Sequence, residues 1–347
     1  MNHFEKAIYD HYLDLASEQP IKTTLRAVLS DQSPERLQSL WMAVMGDEGS
    51  DVSQEELSQR LVQKQYLSDL LHYLPDDSLM ALTELKQGSQ GYNELCHTAG
   101  VHELVVFGLV YVYRSNLTFV MPNEIREAIE QIQVNDLQRL RWQEVLTGLR
   151  GAIHLFGVIS ETELLRQVCV LPTLSDVTVR SVRTILSLLL RNGKRYWRQG
   201  EWLTSTACCS HAASMQKLLK KQEAYPYKTI PIEELLRYAD DTYVPQSAAL
   251  TALHDTIQYM SLPAEEIVRL VGIGLRHDAP KVVLKVLQQK FKLEIDEAEQ
   301  LQLLRLIYAL ADEIRIIRYR GHTARELSDL QCSQAGADFQ GLFDDDE

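Results

Sequence analysis

Residues Ser160–Ser205, SETELLRQVCVLPTLSDVTVRSVRTILSLLLRNGKRYWRQGEWLTS, decide how this chain is read. Ser160 with Glu163 is a capping box that opens a helix over Glu161–Val168. Leu171-Pro172 interrupts it, because proline cannot continue a helix. A second helix follows over Asp176–Leu190, with Val179, Val182, Ile185, Leu186, Leu189 and Leu190 on one apolar face. Asn192-Gly193 closes it, since these residues tolerate the left-handed conformation. Lys194–Trp197 and Trp202–Ser205 then read as two strands joined at Gly200, a hairpin. Between Val177 and Gln199 stand Arg180, Arg183, Arg191, Lys194, Arg195 and Arg198 and no acidic residue, in a chain whose net charge is −13.

Helix, helix, hairpin is the order of a winged-helix unit, and the stretch resembles one. That resemblance implies that the second helix presents side chains to a major groove while the hairpin touches phosphate. Arg180 and Arg183, three apart near the helix start, share a face, and Lys194, Arg195 and Arg198 become wing contacts. Arg191 completes the expected nucleic-acid-binding set. The competing reading is a solvated basic face that pairs with acidic neighbours or with a protein partner, where arginine is also favoured. Trp197 and Trp202 are expected to pack under the hairpin.

Working outward toward the N-terminus, Phe4, Ile8, Tyr12 and Leu15 mark a helix over His3–Ala16. Ser33-Pro34 starts another that Gly46 stops. A polar loop, Asp47–Val52, leads to the Ser53/Glu56 capping box and a helix running to Leu71. Helix, extended loop, helix over Leu25–Leu71 resembles SAP and Rho N-terminal-type nucleic-acid-binding modules. Those modules commonly carry lysine or arginine around the loop and second helix, whereas this loop carries Asp47, Glu48 and Asp51, so a small helical packing unit is the favoured reading here. Asp76 or Asp77 begins the next helix, Gly88–Gly91 is a turn, and Asn93–Phe107 is helical with a break near Gly100. Val110–Tyr113 and Leu117–Met121 form a hairpin around Arg114–Asn116, and Pro122 opens a helix through Ile125, Ile129 and Ile132. This makes a first winged-helix-like unit, with little positive charge on its flanks.

Downstream, a helix is expected over Leu140–Phe156, and Ala207–Tyr227 is a helix with a linker. Beyond Ile230 the pattern is helical throughout: Glu233–Tyr238, Ala248–Met260, Ala264–Leu275, Pro280–Lys290 and Asp296–Ile317, with connections short enough for antiparallel packing. Asp278 is placed to cap the helix at Pro280, and Gly321 to end the long last helix. Thr323 with Glu326 forms a capping box for a short closing helix.

The fold class expected is therefore mainly α, helical bundle modules with two small winged-helix-like β-hairpins. The divisions are an N-terminal helical module at 1–75, a winged-helix-like module at 76–135, a second, basic one at 136–222, a C-terminal helical domain at 223–330 and an acidic disordered tail at 331–347. The tail holds five acidic residues and no basic one, so −13 becomes −8 without it, and any nucleic-acid contact must come from a local patch.

No run of about 18 apolar residues occurs, and Met1-Asn2-His3-Phe4-Glu5 has no signal-peptide character, so a cytoplasmic location without membrane attachment is expected. Five cysteines (Cys96, Cys169, Cys208, Cys209, Cys332) without a CxxC pair point to reduced thiols. Cys208 and Cys209 with His211 have metal-ligand chemistry, but adjacent cysteines rarely both reach one ion, so no metal and no other cofactor is expected. Asp240-Asp241 reads as a turn, and Gly272-Ile273-Gly274 inside a helix as a close-packing site.

Three runs carry a further resemblance: Gly321-His322-Thr323 with Glu326-Leu327; Glu233-Glu234-Leu235-Leu236 with Tyr238-Ala239-Asp240-Asp241 and Tyr243; and Val120-Met121-Pro122 with Glu124. They are similar to a poorly characterised group of bacterial proteins that often end in a cysteine-rich SEC-C zinc-binding motif. After Leu327 this chain has only Cys332, so the resemblance implies no zinc here, and it implies no activity. Walker, GxGxxG, GxSxG and HExxH signatures are absent from the sequence. The expected function is a non-enzymatic binding or regulatory protein, with nucleic acid bound through the second winged-helix-like unit. The alternative is a protein–protein adaptor or inhibitor using the acidic surface, and the third reading is an enzyme with a dispersed site.

Overall fold

The computed structural model describes residues 3–46, 53–169, 178–192, 195–292 and 295–329. The chain is mainly helical with two small three-stranded sheets. It divides into two compact units, each discontinuous in sequence: residues 1–146 with 172–197, and residues 147–171 with 198–347.

The first unit holds α1 (His3–Leu15), α2 (Leu25–Ser30), α3 (Pro34–Met45), α4 (Gln54–Leu61), α5 (Lys64–Tyr73), α6 (Asp76–Lys86), β1 (Gln90–Gly91), α7 (Val101–Val106), β2 (Tyr111–Tyr113), β3 (Thr118–Val120) and α8 (Asn123–Glu130). α9 (Asp136–Phe156) begins in this unit and ends in the other, α10 (Glu161–Val168) belongs to the other, and α11 (Val179–Arg191) returns to the first. Ser33 caps α3 by accepting the Arg36 N–H at 3.2 Å, and Gly46 leaves the helix at φ +88°.

The helix expected from Ser53 to Leu71 is two helices. On one continuous helix Tyr66 and Leu70 would lie on the side away from Leu57 and Leu61, yet all four are buried. The chain resolves this at Gln63, which is extended (φ −68°, ψ 123°). α4 then packs on α2 and α3, and α5 on α8 and α11.

Gln90-Gly91, expected only as a turn, pairs antiparallel with Phe119 and Thr118, so the hairpin of β2 and β3 becomes a sheet of order β1-β3-β2. Ser17 then lines the β2 edge through its N–H to the Val112 carbonyl, 2.9 Å. The expected helix over Asn93–Phe107 is helical only from Thr98 onward.

The second unit begins with the end of α9 and contains β4 (Val158–Ser160), β6 (Trp202–Ser205), α12 (Ala212–Gln222) and α13 (Ile232–Arg237), with β5 (Tyr196–Gln199) crossing the division. Ser160 caps α10 by accepting the Glu163 N–H at 3.2 Å, but the Glu163 carboxylate accepts from Arg166 and Gln167 instead of closing the expected box. The sheet order is β4-β6-β5, with Gly200 at φ +60° in the turn; the third strand, β4, had no signal of its own. Trp197 and Trp202 are half-buried.

α14 (Ala248–Tyr259), α15 (Ala264–His277), α16 (Pro280–Phe291) and α17 (Glu297–Ala311) follow. Each packs on the next, and α17 returns against α14, so the four close a ring around Leu253, Ile257, Val271, Leu275, Ile307 and Leu310. Asp278 does not cap α16: it is the extended C-cap of α15, and Ala279 takes the N-cap position because only two residues separate the helices.

The last long helix ends at Ala311, not near Ile317. Ile314, Arg315, Ile316 and Ile317 are buried in succession, which no one-faced helix can satisfy. After Ala311 the chain turns, is extended at Ile316 (φ −105°, ψ 125°), makes one 3-10 turn over Ile317–Tyr319 and reverses through Arg320 (φ +50°) and Gly321 (φ +80°). Thr323 and Glu326 exchange both capping-box bonds as expected. The calls on Asp47–Val52, on Leu171-Pro172 and Asp176, on Gly193 and Lys194, and on the tail with Cys332 lie outside the described residues.

Candidate nucleic-acid interface

α11 is the most sharply two-sided element of the first unit. Thr178 caps it by accepting the Ser181 N–H at 3.2 Å. Val182, Ile185, Leu186, Leu188 and Leu189 are buried, and the helix packs against α3 and α5. Arg180 and Arg183 are exposed on its opposite side. Its first turn carries no acidic residue.

The neighbouring α5 supplies Asp69, whose carboxyl is pushed up by burial against the opposing pull of Gln65, His72, Arg60 and Arg180. Gln65 donates to it at 2.9 Å. Arg60 and Arg180 thus act on the same carboxylate, one from the end of α4 and one from the start of α11. Arg60 also lies over the Tyr66 ring at 5.2 Å and donates to Gln63. Exposed Lys64 opens α5. Arg60 was not among the residues picked from the sequence. A continuous helix through Val62 conceals that it stands at a helix end beside a second element.

The remaining basic residues have other surroundings. Arg191 is half-buried; its Nη1 donates to the Val44 carbonyl at 3.1 Å, and its guanidinium fills the space beside Gly46, where a Cβ would meet Nη2 at 2.8 Å. It therefore anchors α11 to the end of α3. Arg195 is exposed and lies within electrostatic reach of His102 on α7, whose pKa is lowered by burial first and then by His11, Arg36 and Arg195. Arg198, in the second unit, donates to Glu161. Lys194 lies outside the described residues. Of the five described residues, Arg191 turns toward Val44 and Arg198 toward Glu161, while Arg180 and Arg183 share an exposed helix face.

Two clefts lie elsewhere. One of about 440 Å³ in the first unit is lined by Asp14, Glu18, Asp31, Glu35 and Arg36, and there Lys22 Nζ meets Asp31 at 2.6 Å. Another of about 430 Å³ in the second unit includes Thr242, Thr251, His254, Glu265 and Arg269. Asp240 closes a turn, accepting from the Thr242 N–H at 2.8 Å and hydroxyl at 2.7 Å, and these bonds lower its pKa. Among the described residues no three of His, Cys, Asp and Glu gather as metal ligands, and no helix is long and apolar enough to cross a membrane.

No protein-family model, curated protein or solved structure matches this chain.

Proposed function

We propose that this chain is a non-enzymatic binding protein that contacts a nucleic-acid backbone through the face carrying Arg180, Arg183 and Arg60. The observation that carries this reading is the exposure of Arg180 and Arg183 on a helix whose other side is fixed in a core. Guanidinium groups three residues apart on one helix lie side by side and suit successive phosphates, which arginine binds through two parallel hydrogen bonds. In a chain at −13, only a short local contact overcomes the long-range repulsion between protein and polyanion.

An anisotropy titration of labelled duplex and single-stranded DNA or RNA tests it. The full chain binds at low salt, and Arg180→Ala with Arg183→Ala weakens binding about tenfold or more, near 1.4 kcal/mol for each factor of ten. Absence of binding at low salt, or equal binding by the double variant, overturns it.

A second reading, a protein–protein adaptor or inhibitor, is favoured by Val282 and Val286, which are 47% and 54% exposed one turn apart on α16. Val282→Asp with Val286→Asp then abolishes recovery of a stoichiometric protein partner that docks on this apolar pair and leaves nucleic-acid affinity unchanged. Recovery of that partner by the doubly charged variant counts against this reading.

A further inference from the structure

The turn between β6 and α12 holds two thiols that the proposed function does not use. Cys208 and Cys209 are adjacent in sequence, and their sulfurs lie on the same side, 3.9 Å apart and hydrogen-bonded. The backbone turn that sets this is fixed: the Cys208 and Cys209 N–H groups both donate to the Ser205 carbonyl, at 3.1 and 2.9 Å. Cys209 is buried and Cys208 half-buried. Gly157 makes room, since a Cβ there would stand 2.9 Å from the Cys208 sulfur. His211 is not a third ligand through Nδ1, which accepts the Ser214 N–H at 3.2 Å as the cap of α12.

Geometry separates the two things a pair of thiols can do. A disulfide usually spans Cα atoms about 4.4–6.8 Å apart, and neighbouring residues joined by a trans peptide are held at about 3.8 Å, so direct closure makes a strained ring. Chelation has no such conflict. Two sulfurs each about 2.3 Å from a tetrahedral soft ion stand roughly 3.8 Å apart, close to the separation observed. We propose that Cys208 and Cys209 form a two-thiolate chelating site for a soft, thiophilic centre, a trivalent arsenical or a d10 metal ion. The hydrogen bond between the two sulfurs pulls the Cys209 thiol down to about 7, while the same interaction together with burial pushes Cys208 up, so Cys209 supplies the first thiolate and Cys208 gives up its proton only as the soft centre binds.

With phenylarsine oxide the step balances. Two S–H bonds and the arsenic–oxygen bond break, two arsenic–sulfur bonds form, and one water leaves; arsenic stays trivalent. The test uses the full chain with Cys96, Cys169 and Cys332 replaced by serine, folded by circular dichroism. One equivalent of phenylarsine oxide should protect both thiols from a disulfide reagent, add one phenylarsine group by native mass spectrometry, and be removed by a small dithiol. Cys208→Ser and Cys209→Ser, made separately, should each weaken binding about a hundredfold or more through loss of the chelate; either one suffices if the other does not fold. Cadmium(II) followed by its thiolate charge-transfer absorbance forms the second arm. Binding of both probes assigns the site to soft centres generally, and binding of the arsenical alone assigns it to three-coordinate arsenic. Binding of neither probe by the folded chain, or binding that survives both serine substitutions, overturns the proposal.

Discussion

Removing the Arg276 guanidinium leaves two backbone carbonyls and a tyrosine ring facing a hole. Arg276 is 3% exposed, donates to the Asp241 carbonyl at 3.0 Å and the His154 carbonyl at 2.5 Å, and lies 5.2 Å from the Tyr238 ring centre. Burial lowers its pKa, but an arginine this basic stays charged. Arg276→Met keeps much of the volume and loses the bonds, so chemical denaturation should show a loss of about 2–4 kcal/mol. A loss below about 0.5 kcal/mol would mean that water replaces the guanidinium. Arg315 works differently, gripping Glu234 through Nε and Nη2 and reaching Glu326 at 3.2 Å. Burial alone would raise the Glu326 carboxyl, but the Thr323 N–H, Lys228 and Arg315 hold it below the ordinary range. A carboxylate lowered on folding contributes stability above its unfolded pKa, about 4.3, and loses it as pH falls through the folded value. Glu326→Gln should therefore lower stability at neutral pH and flatten the fall in melting temperature below about pH 4.5. An unchanged acid limb would remove Glu326 from this account.

Elements meet closely at two glycines, and the neighbour decides what each tolerates. A Cβ on Gly151 of α9 would stand 2.1 Å from the Leu235 carbonyl oxygen of α13, a backbone atom. On Gly272 of α15 it would stand 2.3 Å from a methyl of Val244, a side chain. Alanine gains about 1 kcal/mol of helix propensity in either place, against an overpacking cost of about 1–3 kcal/mol. Gly151→Ala should be clearly destabilising by thermal melt, and Gly272→Ala distinctly milder because Val244 stands on a loop that can shift. Equal effects would mean that α13 yields as easily as a side chain. Cap removal is simpler: Thr178→Ala should cost about 1 kcal/mol and, by fraying the start of α11, weaken nucleic-acid binding.

Much of this level was legible. Ser33-Pro34, Ser160 with Glu163, Thr323 with Glu326, and both hairpins are local chemistry, and local chemistry can be read. The break at Gln63, the strand at Gln90-Gly91 and the end of the last long helix at Ala311 depend on partners far along the chain. The candidate site divides in the same way. Six basic residues are visible as a cluster in sequence, yet Arg191 turns into the fold toward Val44 and Arg198 toward Glu161, while Arg60 arrives from a separate helix. Sequence neighbourhood records charge; it does not record which side chain the core consumes.

For the molecule as a whole, the discontinuity of the two units governs how it can be cut. Residues 1–146 alone lack α11, whose buried Val182, Ile185, Leu186 and Leu189 pack onto α3 and α5. That fragment should keep helical far-ultraviolet dichroism, lose fixed tertiary signals and bind a hydrophobic dye. Joining residues 172–197 to it through a flexible linker should restore both. A natively packed 1–146 fragment would show that α11 is dispensable to that core. Charge at this scale sets the binding test. With the chain at −13, affinity for a polyanion resides in few contacts, and each phosphate neutralised contributes about 0.9 to the slope of log K against log salt on duplex DNA. The measurement that bears most directly on the account is that slope for the full chain and for Arg180→Ala with Arg183→Ala. The expected slope is about −2 to −3, falling in magnitude by about 1.8 in the double variant. A salt-independent affinity, or a slope identical in the two proteins, would contradict it.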